Sequence, residues 1–157
     1  MSKNIFIVLD NIRSVHNVGS IFRTCDGAGV KKIYLCGVTP CPIDRFGRER
    51  SDLAKVALGA QNTIQWQQVS DTLACIEQLK KDGVSIVAVE QDERAINYKD
   101  LVTSDTVAYV FGTEVTGLSP DVLNACDAVV EIPLAGLKES LNVSVAVGII
   151  LFSARSL

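Results

Sequence analysis

Three blocks of small and polar residues each follow a run of β-branched or aliphatic residues, which is where open α/β sheets bind their ligands. The first, Asn11-Ile-Arg-Ser-Val-His-Asn-Val-Gly-Ser-Ile-Phe-Arg-Thr-Cys-Asp-Gly-Ala-Gly-Val30, leaves a strand and enters a helix expected to start near Asn17. Asn17 and Arg23 stand nearly two turns apart, so a helix N-terminus and a fixed cation are presented near one cleft. A plainer reading is also open, in which Asn17 caps the helix and Arg23 pairs with Asp26. For Asn17 alone the cap is the simpler account. His16, the only histidine, sits beside the cap and is left out of the chemistry, because a lone histidine there is more often a loop residue.

The second block is Tyr109-Val-Phe-Gly-Thr-Glu-Val-Thr-Gly-Leu-Ser-Pro120. Gly112 and Gly117 permit a close approach of backbone to ligand that a Cβ would obstruct. Their spacing resembles a phosphate loop, but Leu118 and Ser119 stand where Lys and Ser/Thr are needed, and no strand is followed by G-x-G-x-x-G. Glu114 is either a surface carboxylate or, from its place on a strand-end turn, a site residue. The third block is Glu131-Ile-Pro-Leu-Ala-Gly-Leu-Lys-Glu-Ser-Leu-Asn-Val-Ser-Val-Ala146. Pro133 and Gly136 shape an irregular loop, and Ser140 is expected to cap the last helix, the apolar C-terminal helix Leu141–Leu157. A capped core helix accounts for Ser140 but leaves Asn142 and Ser144 as polar groups in an apolar run.

The scaffold that must position these blocks is an alternation of β and α segments. Ile5–Leu9, Lys32–Cys36, Thr63–Val69, Val84–Val89, Val107–Phe111 and Val129–Ile132 read as strands. Helices are expected to start near Asn17, Ser51, Ser70, Ser119 and Ser140. Ser70–Lys81 is the clearest, with Leu73, Ile76 and Leu79 at helical spacing and Gly83 as a stop. The fold class is therefore α/β, a mainly parallel sheet with helices on both faces. The segment GVTPCPIDRFGRER between Cys36 and Ser51 reads as a loop. It is a solvated connection, or else Arg45, Arg48 and Arg50 around Phe46 form a phosphate and base contact.

Composition narrows the classes. The chain has 157 residues, is 48% hydrophobic and carries a net charge of −3, which suits one compact domain over residues 1–157 and argues against nucleic-acid binding by bulk charge. Any RNA site must be a local basic patch. The apolar stretch Leu141 to Phe152 is too short for a membrane span of ~20 residues, and the N-terminus lacks the pattern of a signal peptide. A cytoplasmic location is expected. Five cysteines without a C-x-x-C pair make disulfides and a metal site unexpected, and such residues pack as small hydrophobes. A Cys or Ser hydrolase lacks a histidine partner.

Taken together, N-x-G-x-x-x-R-T at Asn17–Thr24, F-G-x-E-x-x-G-L at Phe111–Leu118 and I-P-x-x-G-x-x-x-S-L-N-V-S-V-A at Ile132–Ala146 resemble the three motifs of the SpoU (TrmH-like) RNA methyltransferases, in order and across essentially the whole chain. The resemblance implies the SPOUT fold, whose C-terminal part is tied in a deep trefoil knot, and an S-adenosylmethionine-dependent transfer of methyl to a ribose 2′-hydroxyl of tRNA or rRNA. It implies cofactor contacts at Val89, Gly112, Ile132, Ser140 and Leu141, and reaction-site roles for Asn17, Arg23, Glu114, Ser140 and Asn142. It needs no metal. A guanidinium stays protonated in ordinary surroundings, so Arg23 is assigned to positioning the ribose-phosphate and stabilising the developing alkoxide, with Glu114 and Asn17 orienting it, and the proton acceptor is left open.

Relatives of this kind work as homodimers in which the motif arginine faces the partner's cofactor, so two acidic chains could build one basic patch. Many carry an N-terminal RNA-binding domain, whereas here a first strand begins by Ile5 and no such extension is expected. Two alternatives are a base methyltransferase of the same superfamily, which the Asn17/Arg23 motif disfavours, and a non-catalytic RNA-binding module, which intact Arg23, Glu114 and Asn142 disfavour.

Overall fold

The computed structural model describes residues 2–155. The first strand, β1 (Asn4–Asp10), alternates its side chains between two layers. Ile5, Ile7 and Leu9 enter one apolar cluster with Phe22, Leu53 and Leu151, while Val8 joins a second with Ile76, Leu79 and Val122. Both faces of the strand are thus buried, which is why it reads as a continuous apolar run.

The remaining strands and α-helices are α1 (Val15–Ala28), β2 (Lys32–Cys36), α2 (Ser51–Ala57), α3 (Ala60–Thr63), β3 (Gln65–Val69), α4 (Thr72–Lys81), β4 (Ser85–Val89), β5 (Ile96–Asn97), β6 (Thr106–Phe111), α5 (Pro120–Ala125), β7 (Ala128–Glu131) and α6 (Val143–Ala154), with one 3-10 turn at Tyr98–Asp100. The seven strands form one sheet in the order β3-β2-β1-β6-β4-β7-β5. Every pairing between them is parallel. Helices α1, α2 and α6 cover one face and α4 and α5 the other, so the expected α/β arrangement is the one observed. Among the described residues no helix is long and apolar enough to cross a membrane.

Several boundaries differ from the expected ones. Helix α1 starts at Val15, because Ser14 rather than Asn17 is the cap, its hydroxyl accepting from the Asn17 N–H at 3.1 Å. Helix α4 starts at Thr72, capped by the Asp71 carboxylate, which accepts from the N–H groups of Leu73 and Ala74. The expected Thr63–Val69 strand loses its first residues to α3, which the left-handed Gly59 (φ 93°) opens. Strand β5 has two residues and pairs only with β7; a segment so short has no periodicity to read. Helix α6 starts at Val143, not at Ser140. Of the apolar C-terminal helix expected to reach Leu157, Ser156 and Leu157 lie outside the described residues.

Helix α6, VSVAVGIILFSA, is apolar on all sides, a pattern that usually means burial all round. Val147, Ile150 and Leu151 are buried, but Val145 and Phe152, seven residues apart on one stripe, are 50% and 58% exposed.

Candidate functional site

Because the strands are parallel, the loops leaving β4, β6 and β7 emerge at one edge of the sheet, and β4 lies between the other two. The loop after β6 is folded on itself. Thr113 and Thr116 join hydroxyls at 2.7 Å, the Gly117 N–H donates to the Thr113 carbonyl at 2.9 Å, and Gly117 is left-handed at φ 62°. The Glu90 carboxylate fastens this turn to the loop after β4: Oε2 accepts from the Leu118 N–H at 2.9 Å and Oε1 from the Gln91 N–H at 3.0 Å. Gly112 has no room for a side chain, since a Cβ there would stand 2.8 Å from the Gly117 carbonyl carbon and 2.9 Å from Leu118 Cδ2.

The three loops enclose a cleft of about 570 Å³, a volume that suits a small organic ligand. Val89, Gly112, Ile132, Ser140 and Leu141, the expected cofactor contacts, all line it, as does Glu114. Its charged groups are the carboxylates of Glu90, Asp92, Glu114, Glu131 and Glu139, and no lysine, arginine or cysteine is among the lining residues. Such a wall attracts a cation and repels a phosphate.

Glu114 has a definite task within the chain. Its Oε1 accepts from the Val143 N–H at 3.1 Å, where a carboxylate meets the positive end of α6. Asn142 is the cap of that helix, its Oδ1 accepting from Ser144 N–H at 2.9 Å and from the Ser144 hydroxyl at 2.6 Å. This accounts for the two polar residues of the apolar run and removes the cap role expected of Ser140, which is exposed on the cleft wall. The Asn142 Nδ2 donates to Asn17 Oδ1 at 3.3 Å, tying the start of α6 to the first turn of α1. Replacing Asn142 by Ala is expected to cost about 1 kcal/mol of stability through the lost cap, measured by urea denaturation; an unchanged midpoint would mean that the cap contributes nothing.

Arg23 is placed differently. It lies on the exposed side of α1, outside the cleft lining, and among the described residues it forms no ion pair. The alternative pairing with Asp26 is not made; Asp26 accepts from the Thr63 hydroxyl at 2.8 Å. Within one chain Asn17 and Glu114 hold the start of α6 rather than Arg23. His16 is exposed. Among the described residues no group of three or more His, Cys, Asp or Glu could hold a metal ion. Cys25, Cys36, Cys41 and Cys75 are buried, and burial raises the Cys126 thiol from its usual value to about 11. Glu90 was not legible as a separate site residue; its only signal was a carboxylate directly after a buried strand.

The model of the SpoU rRNA Methylase family matches residues 4–152. The chain is 34% identical over 146 residues to a tRNA (guanosine(18)-2′-O)-methyltransferase of Borreliella burgdorferi, covering 93% of this chain and 63% of the relative. It is 34% identical to a 23S rRNA (guanosine-2′-O-)-methyltransferase RlmB of a Burkholderia species, covering 96% and 58%. An AdoMet-bound rRNA methyltransferase from Sinorhizobium meliloti superposes with a TM-score of 0.87 at 30% identity, over 99% of this chain and 57% of that one. The chain thus spans about three fifths of the length of these relatives.

Proposed function

Because the chain belongs to the SpoU rRNA Methylase family, we propose that it uses S-adenosylmethionine to methylate a ribose 2′-hydroxyl of tRNA or rRNA, in the cytoplasm and without a metal. The observation that carries this reading is the cleft built by the second and third motifs. It is lined by Gly112, Ile132, Ser140 and Leu141, bounded by carboxylates, and free of cationic side chains. That lining fits the cofactor, which combines apolar and hydrogen-bonding parts with a positive sulfonium. When bound, S-adenosylmethionine supplies a methyl group that an oxygen nucleophile displaces from sulfur.

The chain's own residues do the rest. Val89, Gly112, Ile132, Ser140 and Leu141 hold the cofactor, the glycine by leaving the backbone open to close approach. Glu114, Asn142 and Asn17 fix the start of α6 against α1 and so set the geometry of the third motif. Arg23 positions the ribose-phosphate and stabilises the charge that develops on the 2′-oxygen. It reaches a cleft across a homodimer interface, where α1 and α6 of two chains meet and cover Val145 and Phe152. Light scattering at micromolar concentration is expected to return a dimer; a monomer would remove the shared site.

The C-terminal part is assigned the trefoil knot of the SPOUT fold. In support, the chain leaves β7, between β4 and β5, and passes the 132–141 loop. It ends in α6 packed into the cluster on the opposite side of the sheet from α4, with its first turn held by the loop after β6. The function is tested by calorimetry with S-adenosylmethionine, followed by mass spectrometry of nucleosides from tRNA and rRNA incubated with enzyme and cofactor. A flat titration with folded protein would overturn the reading.

A further inference from the structure

The segment between β2 and α2 is not a slack connection. Its root is stapled to the loop that leaves β1 and opens the first motif. Asn11 Oδ1 accepts from the Val38 N–H at 3.0 Å. Thr39, 2% exposed, accepts from the Ile12 N–H at 3.1 Å and offers its hydroxyl to the carbonyls of Leu9 and Cys36. Beyond the root, Ile43 and Glu49 form an antiparallel bridge and the Arg50 N–H donates to the Pro42 carbonyl at 2.9 Å, so the segment is a short arm.

The tip of the arm is equally ordered. Asp44 accepts from the N–H groups of Phe46 (2.8 Å) and Arg48 (3.0 Å) and from Arg48 Nε (3.1 Å), bonds that hold its carboxyl below the usual range. Gly47 turns the chain at φ 78°. This framework presents Phe46 to solvent at 66% exposure, with the guanidinium carbons of Arg45 and Arg48 at 4.8 and 5.0 Å from its ring centroid. Among the described residues Arg45 has no carboxylate partner, whereas Arg48 is paired with Asp44 at 3.1 Å and Arg50 with Asp52 at 3.0 Å.

We propose that the Arg45–Phe46–Arg48 tip is a docking platform for an unpaired nucleotide of the RNA substrate, the ring and guanidinium planes stacking on a base and the unpaired Arg45 cation taking a flanking phosphate. The proposal rests on the methyltransferase reading and adds to it a place where the RNA is held. Aromatic rings and guanidinium planes are the usual partners of unstacked bases. A chain of net charge −3 whose cofactor cleft is walled by carboxylates must grip a polyanion elsewhere. The staples at Asn11 and Thr39 fix the platform relative to the helix that carries Asn17 and Arg23.

The test uses the full chain and a fluorescein-labelled single-stranded RNA oligonucleotide of mixed sequence, with binding read by anisotropy. Phe46→Ala is expected to weaken binding on the order of tenfold, and Phe46→Trp to retain it. Arg45→Ala is expected to flatten the dependence of log Kd on log salt by about one phosphate contact. S-adenosylmethionine titrations of Phe46→Ala should match the wild type. Unchanged RNA binding by Phe46→Ala overturns the platform alone, whereas loss of cofactor binding by the wild type overturns the methyltransferase reading. A Phe46→Ala protein with unchanged RNA binding that runs as a smaller assembly in light scattering would make Phe46 a contact between copies instead.

Discussion

Replacing Arg23 by Ala is expected to lower methyl-transfer turnover on the order of a hundredfold or more, with affinity for S-adenosylmethionine nearly unchanged. The two effects separate because Arg23 stands on α1, outside the cleft that the β4, β6 and β7 loops enclose. The variant should also fold normally. Arg23 is exposed and has no ion-pair partner among the described residues, so truncation strands no buried charge. Arg23→Lys should restore only part of the rate, since a point charge lacks the planar fork that grips a phosphate and a ribose oxygen together. Normal turnover of Arg23→Ala on its own RNA would return the residue to a plain helix surface.

Gly112→Val is expected to weaken S-adenosylmethionine binding ten- to a hundredfold, on the order of the 1–3 kcal/mol that overpacking costs. The cause is indirect. A Cβ at this position points at the carbonyl carbon of Gly117, 2.8 Å away, and at Leu118, so the Thr113–Gly117 turn has to move and takes part of the cleft wall with it. Gly117 cannot retreat freely, because the Glu90 carboxylate stands beside it, close enough that a Cβ on Gly117 would lie 2.5 Å from Oε2. The sheet beneath is untouched, and circular dichroism should report native content. Calorimetry with an unchanged Kd on the folded variant would remove Gly112 from the slot.

The sequence made the sheet legible wherever an apolar run lay between turn residues, as at Ile5–Leu9 and Val107–Phe111. Two strand faces buried under helices leave no polar positions to confuse the pattern. It fails where two residues within one turn of each other compete for one task. Ser140 and Asn142 are both good caps, and local propensity cannot choose between them; the choice is made by Glu114, from a loop 29 positions away, which takes the Val143 N–H. Ser14 and Asn17 pose the same problem at α1. Glu90 is not legible in the sequence for a related reason, since its value lies in the Leu118 N–H that it receives across 28 positions. The lining of the cleft by the motif residues could be anticipated only through the resemblance, because nothing in composition or periodicity says that three loops far apart in the chain converge.

That convergence has a consequence for how the molecule comes into being. The wall of the cleft includes Val143 and Ala146, and the helix to which they belong is pinned by Glu114 and Asn17. During synthesis from the N-terminus, β1 and α1 must wait for β6, about a hundred residues later, before the centre of the sheet can close. The third wall is made later still. A ribosome-bound chain that has completed the first two motifs has Arg23 but no complete pocket, so a truncated product is expected not to capture the cofactor.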